Sequence, residues 1–142
     1  MGLPQSSALG NVRRLQPLRV LLAGRDRRFL RVTAFLLSRR GYDVTEVPIN
    51  ESVPAADRFH ADVVLLDAGM SRAEAARLAN QLTALACPPA VLVVTANGHK
   101  QSAGLRFVEK WEPIDELVKA IEAASLDRHL PALHASRVHE HH

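Results

Sequence analysis

The sequence predicts an α/β fold, a parallel sheet covered by helices on both faces, and three observations carry that reading. Val63-Val64-Leu65-Leu66 is a continuous apolar run that ends in Asp67, the pattern of a strand buried on both faces that delivers a carboxylate to the sheet's carboxyl edge. Two comparable runs occur at Arg19 to Ala23 and at Ala90 to Val94. Segments with apolar residues at helical spacing separate these runs, so strand and helix alternate along the chain. In such a sheet functional residues gather at the carboxyl edge, near the point where strand order reverses.

Each element has its own signal. After the strand ending at Ala23 and the turn at Gly24, Phe29, Val32, Leu36 and Leu37 recur at helix-like spacing as far as Gly41. Gly41 suits the left-handed position that follows a helix, and Arg39 and Arg40 oppose the negative end of its dipole. Val44 and Val47 mark a second strand ending before Pro48, and a short helix is expected over about 52–59, where Pro54 fits only in the first turn. The third strand is Asp62 to Leu66. Ser71-Arg72-Ala73-Glu74 then reads as a capping box opening a helix whose Ala75, Leu78, Leu82 and Leu85 face inward and which Pro88-Pro89 ends.

Strand four is Ala90 to Val94, and Leu105 to Val108 makes a fifth, followed by a helix from Pro113 with Ile114, Leu117, Ile121 and Ala124 inward. Only the nine residues from Ala96 to Gly104 join strands four and five. A parallel crossover that contains a helix usually needs a dozen or more, so a helix there should be shortened or absent.

At 142 residues, with 47% hydrophobic and 23% charged residues, the chain fits one domain with a real core. Aromatics are 4%, which leaves that core to Leu, Val and Ala. Residues 1–17 lack periodicity and read as a flexible leader, 18–125 as the domain, and 126–142 as a flexible His-rich tail. Its His129, His134, His139, His141 and His142 lack the fixed short spacing of a structural zinc site and imply adventitious metal affinity only.

No run reaches the roughly 18 apolar residues of a membrane span, and the start lacks the apolar core of a signal peptide. The single cysteine, Cys87, excludes an internal disulfide framework, and a cytoplasmic location is expected. Net charge is +3, but no aromatic–basic interleaving or recognition-helix pattern accompanies it, so a nucleic acid partner is not expected.

From about Leu18 to Ser125 the chain resembles the receiver domains of two-component response regulators. Asp67 with Met70 three residues later looks like the family's phosphoacceptor stretch, although Ser71 stands where Pro is usual. Thr95, followed by Ala96, looks like the switch hydroxyl. Lys110 looks like the family's invariant lysine, although Trp111 follows it where the family has Pro. The resemblance implies a five-stranded doubly wound sheet of the flavodoxin type, with the family's fourth helix shortened or absent. One part of the pattern is missing: receivers end their first strand in adjacent acidic residues that bind a divalent cation, and here Gly24 and Arg25 stand there, with Asp26 one place late. Such combinations resemble atypical or pseudo-receivers.

The chemistry follows from that departure. Phosphoryl transfer to a carboxylate needs the charge on the transferring oxygens neutralised, usually by Mg²⁺ held through carboxylates and water. Replacing two carboxylates by one Gly and one cation removes oxygen donors and adds repulsion, so weak Mg²⁺ binding is expected only where Asp67 is still phosphorylated. Arg25 is expected either to pair with Asp67, leaving it ionised between Arg25 and Lys110, or to point into solvent while Asp67 caps the following turn. Trp111, the one tryptophan, is either a lid or an exposed anchor for a protein partner. The arginines at 25, 27, 28 and 31 cluster at the start of the first helix, where they suit a phosphate or acidic segment, or a solvated face.

Three functions are therefore expected in order. The first is a receiver-like signalling module that acts through protein contacts, with phosphorylation reduced or lost and no enzymatic activity of its own. The second is a response-regulator receiver phosphorylated on Asp67 by a histidine kinase, with Asp26 as a compromised metal ligand. The third is a small flavodoxin-like cofactor binder or enzyme, against which stands the first turn, Ala23 to Arg28, without the three-glycine pyrophosphate fingerprint.

Overall fold

The computed structural model describes residues 16–67, 69, 72–96 and 105–128. Five parallel strands, β1 (Arg19–Gly24), β2 (Asp43–Pro48), β3 (Val63–Asp67), β4 (Ala90–Thr95) and β5 (Arg106–Glu109), form one sheet in the order β2-β1-β3-β4-β5. Helices α1 (Arg27–Arg39), α2 (Ser52–Phe59), α3 (Arg72–Thr83) and α4 (Ile114–Arg128) cover it, with a 3₁₀ turn at Ile49–Glu51 before α2. This is the expected doubly wound flavodoxin-like arrangement, and its strand order reverses between β1 and β3. The segment 97–104, where a shortened or missing helix is expected, lies outside the described residues, as do Met70, Ser71, residues 1–15 and the histidines of 129–142.

The period-two geometry of the strands divides the core into two layers. Val20, Leu22, Val63, Leu65, Leu92 and Val94 point to the face covered by α1 and α4. Leu21, Ala23, Val64 and Leu66 point to the face covered by α2 and α3, where Leu78 and Leu82 meet them. All five residues of β3 are buried, which is why that segment reads as an unbroken apolar run rather than an alternating one. At about 25 cal/mol per Å² of apolar surface, this two-sided burial is the main stabilising contribution.

Several details differ from the sequence reading. The buried stripe of α1 is Phe29, Leu30, Thr33 and Leu37, and Val32 and Leu36 sit at its border, 38% and 37% exposed, beside Phe35 at 59%. A second apolar band on the outer face had pulled the expected phase by one residue. Helix α3 stops at Thr83, well before Pro88-Pro89, and the Thr83 hydroxyl donates to the Ala79 carbonyl in its last turn. Helix α4 runs past Ser125 to Arg128, held by an ion pair between Asp127 and Arg106 of β5. Gly41 does take the left-handed conformation, with φ 93°, and Tyr42 N–H donates to Leu37 O to close the end of α1.

Candidate functional site

Three strand ends build the site. β3 presents Asp67, 4% exposed, at the reversal of strand order. β4 presents Thr95, whose carbonyl accepts from Lys110 N–H at 2.8 Å, so the backbone ties Lys110 to the end of β4. β1 leads through Gly24 and Arg25 to Asp26, which is the N-cap of α1: its Oδ1 accepts from Phe29 N–H at 3.1 Å.

Lys110 joins the two carboxylates. Its Nζ stands 2.8 Å from Asp26 Oδ2 and 3.2 Å from Asp67 Oδ2. The approach to Asp67 is an ion-pair contact without hydrogen-bond alignment, and that oxygen has no other partner among the described residues. Lys110 also lies 5.2 Å over the Phe29 ring, and the Trp111 ring meets Phe29 edge-on at 5.1 Å.

The charges respond to this geometry. Burial raises the Asp67 carboxyl above its ordinary value, and Lys110 offsets part of that cost. Asp26 is lowered, first by its hydrogen bond with Lys110 and then by the Phe29 N–H. For Lys110 burial acts to weaken the charged form, but Asp26 and Asp67 together outweigh it and raise the ammonium above its usual value.

Arg25 is the correction. Its guanidinium reaches Glu74 of α3 at 3.7 Å, and among the described residues the ion pair of Asp67 is with Lys110. The reason is desolvation: Glu74 offers an accessible charge, whereas Asp67 is buried and already faces an ammonium. Arg25 keeps a backbone link to the site, its N–H donating to Asp67 O at 3.3 Å.

That link depends on Gly24. A Cβ placed there would lie 2.5 Å from the Asp67 carbonyl oxygen, closer than atoms can pack, and in tight contact with Asp67 Cβ at 3.1 Å. The glycine is therefore a point of close approach between β1 and β3. Of the residues expected at the site, the structure brings the side chains of Asp26, Lys110 and Asp67 together and ties Thr95 to Lys110 through the backbone; Phe29 under Lys110 and Glu74 beside Arg25 were not anticipated from the sequence. The Asp26-x-x-Phe29 spacing at a helix start was the available signal for the cap. Trp111 lies at the rim, 54% exposed and at φ 63°, a conformation uncommon for a non-glycine residue.

A five-stranded parallel sheet in this order, covered by helices on both faces, is the fold shared by solved response-regulator receiver domains. Solved structures agree. The chain is similar to a response regulator protein from Burkholderia multivorans, at 26% identity over 76% of this chain and 95% of that one, with a TM-score of 0.57. It is similar to a CheY-like response regulator receiver domain protein from Methanospirillum hungatei JF-1, at 18% identity, 80% and 98% coverage and a TM-score of 0.67. A response regulator from Desulfuromonas acetoxidans gives 22% identity, 75% and 94% coverage and 0.63. No protein-family model and no curated protein matches the sequence.

Proposed function

We propose that this chain is a receiver-like signal-transduction module that acts by binding another protein, with phosphorylation of Asp67 reduced or lost. The observation that carries this reading is the close approach of Gly24 to Asp67, at the place where a metal-binding carboxylate would have to stand. The donor set fits a divalent cation poorly. Asp26 and Asp67 already share the Lys110 ammonium, Arg25 brings a further positive charge, and Gly24 contributes no side-chain oxygen. A cation that demands near-octahedral oxygen geometry gains little there.

Without such a cation, Asp67 is a buried carboxylate whose ion pair among the described residues is with Lys110, and that ammonium is the charge nearest to a transferring phosphoryl group. The module would then signal from a fixed pocket. Its contact surface is read at the strand-five end, where Trp111 is exposed above Phe29 and strained in φ. An exposed tryptophan on a rigid platform is the type of group that anchors protein interfaces. The reading assigns no enzymatic activity, and a cytoplasmic site of action goes with it.

A second reading rests on one specific observation: Asp26 does reach the pocket, so two carboxylates converge beside Thr95 and Lys110. In that reading a histidine kinase phosphorylates Asp67 with Asp26 as a displaced ligand. Incubation with a small-molecule phosphodonor and Mg²⁺ followed by intact-mass measurement separates the two. The first reading expects no adduct above that of Asp67→Asn; a stoichiometric adduct of one phosphoryl group that Asp67→Asn abolishes would establish the second.

A further inference from the structure

On the opposite side of Gly24 from the Asp67 pocket, a cleft of about 610 Å³ opens between the first turn of α1 and the carboxyl end of β2. Its volume lies in the range of small-molecule sites. Leu30, Val47 and Ile49 supply apolar lining, and Arg27, Arg31 and Glu46 supply charge. Arg27 and Arg31 make no ion pair or hydrogen bond among the described residues.

These arginines are placed against their own helix. They lie four residues apart, so like charges face each other on one side of α1. The first turn carries no acidic residue, so its cations also oppose the positive end of the helix dipole. A local arrangement that works against stability, with no compensating partner among the described residues, is where a ligand is expected to supply the compensation. The cap cannot supply it, because Asp26 is engaged by Phe29 N–H and Lys110.

The position defines the ligand further. Doubly wound sheets bind nucleotides beside the first strand–helix turn, with an acidic residue at the end of the next strand accepting from ribose hydroxyls about twenty residues on. Glu46 lies on β2 two residues before its end at Pro48, opposite Leu22 of β1 in register, and lines the cleft. The chain lacks the glycine-rich amide cradle for the phosphates, but guanidinium forks bind adjacent phosphates without one.

We propose that this cleft binds a nucleoside diphosphate, its phosphates held by Arg27 and Arg31 and its ribose by Glu46. The site is separate from the Asp67 pocket and does not depend on the function proposed for it.

Calorimetric titration of the full chain with ADP and, separately, with inorganic pyrophosphate tests this at fixed ionic strength in EDTA. ADP should bind saturably at one site and more tightly than pyrophosphate. Arg27→Gln/Arg31→Gln should weaken ADP by about tenfold or more, as expected for lost charge-assisted contacts. Glu46→Ala should weaken ADP but not pyrophosphate. Thermal unfolding provides a check that does not need ligand: the double arginine variant should melt at or above the parent, because its helix has lost the repulsion. Absence of ADP binding at millimolar concentration, equal affinity for pyrophosphate and ADP, or an ADP affinity unchanged in the double variant would each overturn the proposal.

Discussion

Gly24 and Asp67 lie opposite each other in register on β1 and β3, and the space between them does not admit a side chain on Gly24. Placing an acid at this position by substitution is therefore not a simple gain of a ligand. Gly24→Asp should destabilise the fold by about 2 kcal/mol, because the clash is with backbone and the two strands must separate to relieve it. Urea unfolding measures the loss, and Gly24→Ala should show a similar one. A Gly24→Asp protein as stable as the parent would show that the approach is not close.

Lys110 is the one cation paired with Asp67 among the described residues, so its removal should expose the cost of burying that carboxylate. Lys110→Met should lose about 2 kcal/mol, and adding Asp67→Asn should recover much of it. A double-mutant cycle in urea reads the coupling directly. Additive effects would mean that the ammonium serves Asp26 alone.

The two carboxylates should respond to pH in opposite directions. Asp67 is raised in the folded state, so the native protein holds more protons than the unfolded chain between the ordinary aspartate range and the raised value, and stability falls as pH rises through that window. Asp67→Asn removes this slope. The variant should be more stable than the parent at pH 7, by about 1 kcal/mol, and the gap should close towards pH 4. Asp26 is lowered, so it stabilises above the ordinary aspartate range and that contribution is lost as pH falls through its folded value. Asp26→Ala should flatten the acid limb of the unfolding profile and lower stability at pH 7 as the cap is lost.

Trp111 is the only tryptophan of the chain and is 54% exposed. Its emission should therefore be that of a largely solvated indole, quenched readily by acrylamide. Trp111→Ala should cost less than about 1 kcal/mol of stability, since the loss is one edge-on contact with Phe29 and the strain of a positive φ is relieved only in part. A blue-shifted, protected emission would place the ring in a closed lid instead.

The sheet was legible because burial writes itself into strands: Val63 to Leu66 and Ala90 to Val94 leave no alternative to a central position. The amphipathic surface of α1 was less so, since Val32, Phe35 and Leu36 form an apolar band that is not core. Asp67, Thr95 and Lys110 were placed by strand ends and spacing, which is a backbone property. The partner of Arg25 was not, because a long side chain chooses among neighbours that only the tertiary structure supplies, and desolvation favoured Glu74 over Asp67. The role of Gly24 as a contact between strands was invisible for the same reason: a missing side chain carries no pattern until the strand beside it is known.

The proposed function requires that Asp67 not take up a phosphoryl group with a divalent cation. Amide chemical shifts of the ¹⁵N-labelled chain, titrated with beryllofluoride in the presence of Mg²⁺, test it most directly. The account predicts that resonances of Asp67, Thr95, Lys110 and Trp111 stay where they are in the parent protein, as they do in Asp67→Asn. A saturable shift of these resonances that Asp67→Asn abolishes would contradict it.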